Sequence, residues 1–280
     1  APVAPSPINR ETLLLGFAFG AKTTLTAEIR ASPQEERSSL HREFSLNERF
    51  ARTRAAVVAL EAVVATPVGL NAAQEVIIIG CGLTGLAVAC AFGDAKADMV
   101  MLEKSSRVGG VWSWQANATS KTNTTEPAYR LPVRKQTTNT PHSPTFELLD
   151  DMRLTIQQYS LADRIYLNHA VRAICRPSKE RRDASSPLWQ LDGRVADKGA
   201  FMVGAGGMVV VCVNRRLGRP RKIRYHGQDL FKGIVKSSLA NDCDDISFSG
   251  KRVVIVGMGA FAIEKVRTSL ERGAAHAQIL

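Results

Sequence analysis

The chain has 280 residues, of which 45% are hydrophobic and 22% charged, and its formal net charge is +11. These values are those of a soluble globular protein with room for about two domains. Its five cysteines are scattered and never spaced as C-x-x-C, which argues against a zinc site, a disulfide framework and a dithiol redox centre. We therefore predict no metal site and a reducing, cytoplasmic location.

The positive charge predicts an anionic partner. The densest basic stretch is NRRLGRPRKIRYHG, residues 214–227, in which only Tyr225 could stack on a base. A phosphate-bearing cofactor explains the excess charge better, so we expect a small-molecule substrate and no nucleic acid. A homo-oligomer is possible. The uncharged stretch 76–93 could suggest a transmembrane segment, but its glycine loop argues against one.

Residues 1–70 are predicted to be an N-terminal extension that is partly helical. Apolar positions within residues 47–65 suit a helix, which Pro67 and Gly69 would end. This extension could pack on the fold or extend away from it, and the pattern leaves both open.

A sharper pattern begins at Glu75. Residues 76–79 form a continuous apolar run, as expected of a strand covered on both faces. A glycine loop and a helix to about Phe92 follow, and a second apolar run at 99–102 ends on Glu103. This order predicts a strand–helix–strand unit with parallel strands.

Further elements are predicted along the rest of the chain. A helix is expected at 146–161, and residues 121–144, rich in Thr, Asn and Pro, are expected to form a loop. The predicted strands are 164–174, 189–191, 208–213, 252–256 and 277–280, with a helix at 260–272.

The first glycine loop has the spacing G-x-G-x-x-G at Gly80, Gly82 and Gly85. The three glycines allow a tight turn, a close approach of a pyrophosphate to the backbone, and close packing of helix on strand. Glu103 would accept hydrogen bonds from ribose hydroxyls and would repel a 2′-phosphate, so this site predicts FAD or NAD. Three neighbours complete the candidate contacts: Leu83, Thr84 and Lys104.

The same strand–glycine-loop–helix motif occurs a second time, with Gly257, Gly259 and Ala262 at the three motif positions. Alanine in the third position is a variant common in NADP-binding loops. The predicted fold class is therefore α/β, with a Rossmann-like domain at 71–245 that binds FAD or NAD and the beginning of a second, incomplete NAD(P)-binding Rossmann-like domain at 246–280.

The segment EKSSRVGGVWSW, residues 103–114, resembles the E-x-x-x-x-x-G-G-x-W stretch of flavin-dependent monooxygenases, a group that includes the Baeyer–Villiger enzymes. The resemblance implies that Glu103 holds the ribose of FAD. It also implies that Gly109, Gly110, Val111 and Trp112 run beside the flavin.

A second resemblance lies at residues 231–242, FKGIVKSSLAND, which is similar to the family fingerprint F-x-G-x-x-x-H-x-x-x-(W/Y/F). Phe231 and Gly233 match, but Ser237 replaces the histidine and Asn241 the aromatic residue. No catalytic residue is assigned; Ser237 and the two asparagines Asn117 and Asn123 are weak candidates. Each asparagine could instead form a turn.

The resemblance implies an FAD- and NADPH-dependent monooxygenase that inserts oxygen through a C4a-peroxyflavin into a soft nucleophile or a ketone. Alternatives are a catalytically inactive flavoprotein that keeps dinucleotide binding, and a relative of the pyridine-nucleotide-disulfide reductases. Because chains of this family continue further, we interpret the sequence as truncated. We then expect residues after Gly250 to be the least stable, NADPH binding to be weak or absent, and four side chains to face water: Val253, Ile255, Ile263 and Val266.

Overall fold

The computed structural model describes residues 44–64, 67, 69–70, 73–178, 186–214, 223–236 and 243–280, together with the backbone of two strands at 12–16 and 27–29. Within these ranges no helix combines the length and the apolar character that a membrane crossing requires. The elements in chain order are β1 (Thr12–Gly16), β2 (Ala27–Ile29), α1 (Leu46–Ala62), β3 (Ala73–Ile79), α2 (Leu83–Asp94), β4 (Met99–Leu102), α3 (Val111–Trp114), α4 (Thr145–Gln158), β5 (Ile165–Tyr166), β6 (His169–Cys175), β7 (Trp189–Val195), β8 (Gly199–Val211), β9 (Val235–Lys236), β10 (Arg252–Val256), α5 (Ala260–Glu271) and β11 (His276–Ile279).

The first sheet has six strands in the order β5-β4-β3-β8-β7-β6. Strands β5, β4, β3 and β8 are parallel, whereas β6, β7 and β8 form an antiparallel meander. In β3 the side chains of Val76 and Ile78 enter one hydrophobic cluster and those of Ile77 and Ile79 enter another. Both faces of β3 are therefore covered, which confirms the strand predicted from the continuous apolar run and the α/β fold with a parallel sheet.

The parallel pairing places three strand ends together. Ile79 at the end of β3 is in register with Leu102 in β4 and with Val211 in β8. The residues that follow these strands therefore meet at one edge of the sheet, which is where ligands of open α/β sheets bind.

The helix predicted in the N-terminal extension is present as α1. Ser45 caps it by accepting a hydrogen bond from Glu48 N–H, and the Glu48 carboxylate accepts one from Ser45 N–H. Leu60 is fully buried in the same cluster as Val76. The sequence left open whether this segment packs on the fold, and the structure shows that α1 does.

The predicted strand at 164–174 is wrong in one respect, because the chain turns within it. Strand β5 ends at Tyr166, and Asn168 has φ +61° in the turn that precedes β6. Asparagine tolerates this left-handed conformation better than most residues, so the chain changes direction here. The remaining predicted helices and strands are present, several of them with shifted ends.

The second sheet has the order β2-β11-β10-β1-β9, with β1 parallel to both β10 and β9. Strands from the N-terminal extension thus complete the sheet that carries the second glycine loop. The expectation that four side chains face water is wrong for Val253, Ile255 and Val266, which are at most 5% exposed. Only Ile263, at 41%, is exposed.

Part of the cover over these side chains comes from residues that precede β10, and the rest comes from residues 262–279. Cys243, Ile246 and Phe248 form one cluster with Val253 and Ile255. The expectation rested on the argument that two strands and one helix cannot cover both faces of a sheet, and it included neither this segment nor the pairing of β1 with β10.

Candidate dinucleotide-binding site

The first glycine loop connects β3 to α2 at the edge where the strand ends meet. Gly80 has φ +97°, and a Cβ there would lie 2.8 Å from the carbonyl oxygen of Cys212. A Cβ on Gly85 would lie 1.9 Å from the carbonyl oxygen of Gly80. Both distances are too short for any side chain, so the turn and the helix packing by themselves require glycine at these two positions.

Gly82 differs from its neighbours in the motif. A Cβ on Gly82 would meet only Gly110, at 3.5 Å from its Cα, which is an ordinary contact. Packing within the protein therefore does not require glycine at position 82. A pyrophosphate that approaches the backbone would require it.

The N-terminal end of α2 is open in the way that an anion site needs. Gly82 is the residue before the helix, and the first intrahelical hydrogen bond runs from Leu86 N–H to Gly82 O. The N–H groups of Leu83, Thr84 and Gly85 precede that bond and point toward the helix end. Thr84 is exposed and Leu83 is partly buried.

Glu103 lies directly beside this loop. One carboxylate oxygen accepts a hydrogen bond from Cys81 N–H at 2.8 Å, and the other accepts one from Ser105 N–H at 2.9 Å. Only 6% of Glu103 is exposed, whereas the next residue, Lys104, is exposed. The carboxylate is therefore fixed in place, and each oxygen keeps a lone pair that could accept a bond from a hydroxyl.

The diglycine turn closes the other side of the loop. Gly109 N–H donates to Cys81 O at 2.9 Å, and Gly110 adopts φ +54° before α3. Gly82 and Gly110 thus face each other without side chains between them. Val111 and Trp112, in α3, are both partly buried.

Arg107 links the diglycine turn to α1. Its guanidinium donates to Ser113 O at 2.5 Å and to Glu61 in α1 at 3.0 Å, and it stacks 3.9 Å from the centre of the Trp114 ring. The motif carried no sign of this role, because Glu61 lies 46 residues away in the sequence.

The thiol of Cys81 is buried within the loop. Burial raises its pKa well above the usual value, and the charges of Glu103 and Cys212 add to the increase. Such a thiol is a poor nucleophile.

The second glycine loop has a similar form. Gly257 has φ +123°, Gly259 precedes α5 with nothing within 4 Å of its potential Cβ, and Ala262 is fully buried. As at Gly82, packing within the described residues does not require glycine at position 259.

The weak catalytic candidates have different surroundings. Asn117 accepts hydrogen bonds at its side-chain oxygen from Thr119 N–H and Oγ1, so it stabilises a turn. Asn123 is exposed. Ser237 and Asn241 lie outside the described residues, as do residues 215–222 of the basic stretch.

No family model matches the sequence. The curated FAD-binding monooxygenase VdtE of Byssochlamys spectabilis is 24% identical over 200 residues, which are 70% of this chain and 34% of VdtE. A steroid monooxygenase in its oxidised form bound to NADP matches with TM-score 0.55 and 20% identity over 73% of this chain and 38% of its own. An open form of cyclohexanone monooxygenase matches with TM-score 0.56 and 21% identity, over 74% of this chain and 39% of the monooxygenase chain.

The chain has the fold of the flavin-dependent monooxygenases. A further match with this fold is the OTEMO complex with FAD and NADP, with TM-score 0.54 and 19% identity over 74% of this chain and 38% of that one. The resemblance found in the glycine loop and the G-G-x-W segment is confirmed by these matches. The chain spans between a third and two-fifths of the length of these relatives.

Proposed function

We propose that this chain binds FAD at its first glycine loop and NADPH at its second, as the dinucleotide-binding part of a monooxygenase. The observation that carries the proposal is the arrangement of Gly82, Gly110 and Glu103. Packing within the protein does not require glycine at position 82, Gly110 lies against it without a side chain, and a fixed carboxylate lies beside the loop. This combination fits the pyrophosphate and the ribose of one dinucleotide.

The residues present fit FAD. The N–H groups at the start of α2 would hold the pyrophosphate, and Glu103 would accept bonds from the ribose hydroxyls. Gly110, Val111 and Trp112 would lie along the flavin side of the site. Because Glu103 is an anion, a 2′-phosphate at this first site would be repelled.

The second site would hold NADPH through the same kind of contacts. The weak NADPH binding expected from the sequence was based on an incomplete second domain in which Val253, Ile255 and Val266 face water, whereas all three are buried. Gly257 permits the turn, Gly259 leaves room for the pyrophosphate, and α5 directs its first N–H groups at it. When bound, FAD supplies the oxidation–reduction chemistry by which one atom of O₂ is transferred to a substrate. The protein holds and orients both dinucleotides and excludes water; the proposed substrates are a soft nucleophile or a ketone.

One alternative is disfavoured by the cysteines. A disulfide reductase needs a pair of reactive thiols, but no two of the five cysteines form a disulfide, and burial raises the pKa of Cys81, Cys90 and Cys212. These three thiols are therefore poorly suited to act as thiolates.

The test is the flavin spectrum of the purified chain. We expect visible flavin absorbance that bleaches when NADPH is added under nitrogen, and product formation when O₂ and a ketone or sulfide are supplied. A chain that takes up no flavin from a solution of FAD would contradict the proposal. Flavin that binds but is not reduced by NADPH would support the FAD site and contradict the NADPH site.

A further inference from the structure

The contact between the two glycine-loop units is polar. We call the elements around the six-stranded sheet the first unit and those around the five-stranded sheet the second unit. Among the described residues, each hydrophobic cluster stays within one unit: two lie between residues 60 and 205, and the third between 243 and 279. Hydrophobic packing therefore does not fix how the second glycine loop faces the first.

Hydrogen bonds between buried side chains make that contact instead. Ser120 Oγ donates to the carboxylate of Glu264, and Thr119 Oγ1 lies 2.7 Å from Thr268 Oγ1. Thr119, Ser120 and Thr268 are each 0% exposed. We call these four residues, Thr119, Ser120, Glu264 and Thr268, the inter-unit seam.

The seam has a defined direction of hydrogen bonding. The single proton of Thr119 is donated to Asn117 Oδ1 at 2.7 Å, so Thr268 must donate to Thr119. The hydroxyl proton of Ser120 has two possible acceptors, Asn117 Oδ1 and the Glu264 carboxylate. The contact with Glu264 is the shorter one, so Ser120 donates to Glu264. Asn117 therefore positions both hydroxyl oxygens: its Oδ1 accepts the proton of Thr119, and its backbone N–H donates to Ser120 Oγ at 2.9 Å, which leaves the Ser120 proton for Glu264.

The residues of α5 that take part lie on one face of the helix. Glu264, Thr268 and Glu271 are spaced by four and three residues, which brings them to the same side. Glu271 continues this face with an ion pair to Arg49 of α1, at 2.6 Å. The helix whose N-terminal end carries the second glycine loop is thus held along its length by the first unit.

We infer that the inter-unit seam positions the second dinucleotide site relative to the first, with Ser120 and Glu264 as its central positioning pair. The inference rests on the proposed function and adds to it the residues that set the distance between the two dinucleotides. Hydride transfer requires the donor and acceptor atoms to be in near contact, and a misplacement of about 1 Å can slow such a step about 100-fold. Neither residue needs to touch a dinucleotide to have this effect.

The first arm of the test needs no cofactor. Hydrogen–deuterium exchange of the full chain is compared for the wild type, Glu264→Ala, Ser120→Ala and Glu264→Gln. The two alanine variants should speed exchange by about tenfold in both residues 117–122 and residues 260–271, because each leaves a buried partner unpaired. Glu264→Gln keeps an acceptor for Ser120 and should stay close to the wild type.

Glu147→Ala is the matched control. Glu147 is also half-buried, and it accepts hydrogen bonds from Thr140 N–H and Oγ1, both within the first unit. This variant should leave exchange in residues 260–271 unchanged. Exchange that stays at wild-type values in both seam segments of Glu264→Ala and Ser120→Ala would overturn the inference.

The second arm uses the chain loaded with FAD. Both alanine variants should retain FAD as the wild type does, while flavin reduction at saturating NADPH slows by about 10- to 100-fold. Glu264→Gln should restore most of the rate. Unchanged reduction rates in the alanine variants would also overturn the inference. A wild type that binds FAD but is not reduced would contradict the NADPH part of the proposed function, and the exchange arm alone would then decide on the seam.

Discussion

Glu103 accepts a hydrogen bond from the backbone N–H of Cys81, at 2.8 Å, across the edge of the first sheet. The carboxylate at the end of β4 thereby holds the glycine loop at the end of β3. Glu103 thus supports the loop, and under the proposed function it would also accept hydrogen bonds from the ribose hydroxyls of a dinucleotide.

Replacement of Glu103 by alanine should expose both roles. The substitution leaves Cys81 N–H and Ser105 N–H without their acceptor, so we expect a loss of about 1–3 kcal/mol in the free energy of unfolding. FAD retention should weaken by a similar amount. Urea unfolding and a flavin titration measure the two effects. Glu75→Ala is the control, since Glu75 is exposed at the opposite end of β3, and it should change stability by less than about 0.5 kcal/mol.

The glycines of the first loop offer a matched pair of substitutions. Gly85→Ala should strongly destabilise the protein, because its Cβ would lie 1.9 Å from Gly80 O. Gly82→Ala should fold normally, because the nearest atom is 3.5 Å away, yet it should bind FAD more weakly. Thermal unfolding without cofactor and a flavin titration separate the two outcomes. If Gly82→Ala bound FAD as tightly as the wild type, a pyrophosphate would not approach the backbone at Gly82.

Arg107 should matter to the diglycine turn. Arg107→Met loses the hydrogen bond to Ser113 O, the ion pair with Glu61 and the stacking on Trp114. Glu61 is 45% exposed, so the ion pair contributes little, and the other two contacts should dominate a loss of about 1–3 kcal/mol. Urea unfolding followed by tryptophan fluorescence measures it. Glu61→Gln should lower the free energy of unfolding by less than about 1 kcal/mol. A loss equal to that of Arg107→Met would show that the ion pair dominates.

Two adjacent aspartates in α4 should differ sharply in their contribution to stability. Asp151 is 2% exposed and pairs with Lys135 at 2.5 Å and with Asn139 at 2.7 Å. Asp151→Ala leaves a partly buried lysine unpaired, and we expect a loss of about 3–5 kcal/mol. Asp150 is 50% exposed in its pair with Arg153, so Asp150→Ala should cost less than about 1 kcal/mol. Equal unfolding free energies for the two variants would contradict this account.

Glu264 should make stability depend on pH. Burial raises its pKa in the folded protein, although the hydrogen bond from Ser120 and the charges of Lys265 and Arg267 lower it. The folded state therefore binds the proton more tightly than the unfolded state. Its contribution to stability is greatest below about pH 4.3, the ordinary glutamate pKa, and is lost as the pH rises through the folded value.

Glu264→Gln removes this titration. The variant should gain stability relative to the wild type as the pH rises above about 4.3, and the difference should level off once Glu264 is ionised in the folded state. Chemical unfolding over a range of pH measures the difference. A difference that does not change with pH would contradict a raised pKa for Glu264.

The sequence by itself determined the first site to a large extent. The strand–loop–helix around Gly80, Gly82 and Gly85 follows from local periodicity, and the position of Glu103 follows from the rule that parallel strands end at one edge. The local signals and the topology agree there, so no distant contact was needed to locate these residues.

The tertiary structure alone decided the rest. The second sheet is completed by the backbone of β1, which pairs with β10 about 240 residues later in the chain. The seam joins Ser120 to Glu264 across 144 positions, and no local pattern marks either residue. Burial of Val253 and Ile255 likewise depends on which distant segment covers them. Local periodicity reports which face of an element is apolar, but the partner of that face is selected by packing over the whole chain.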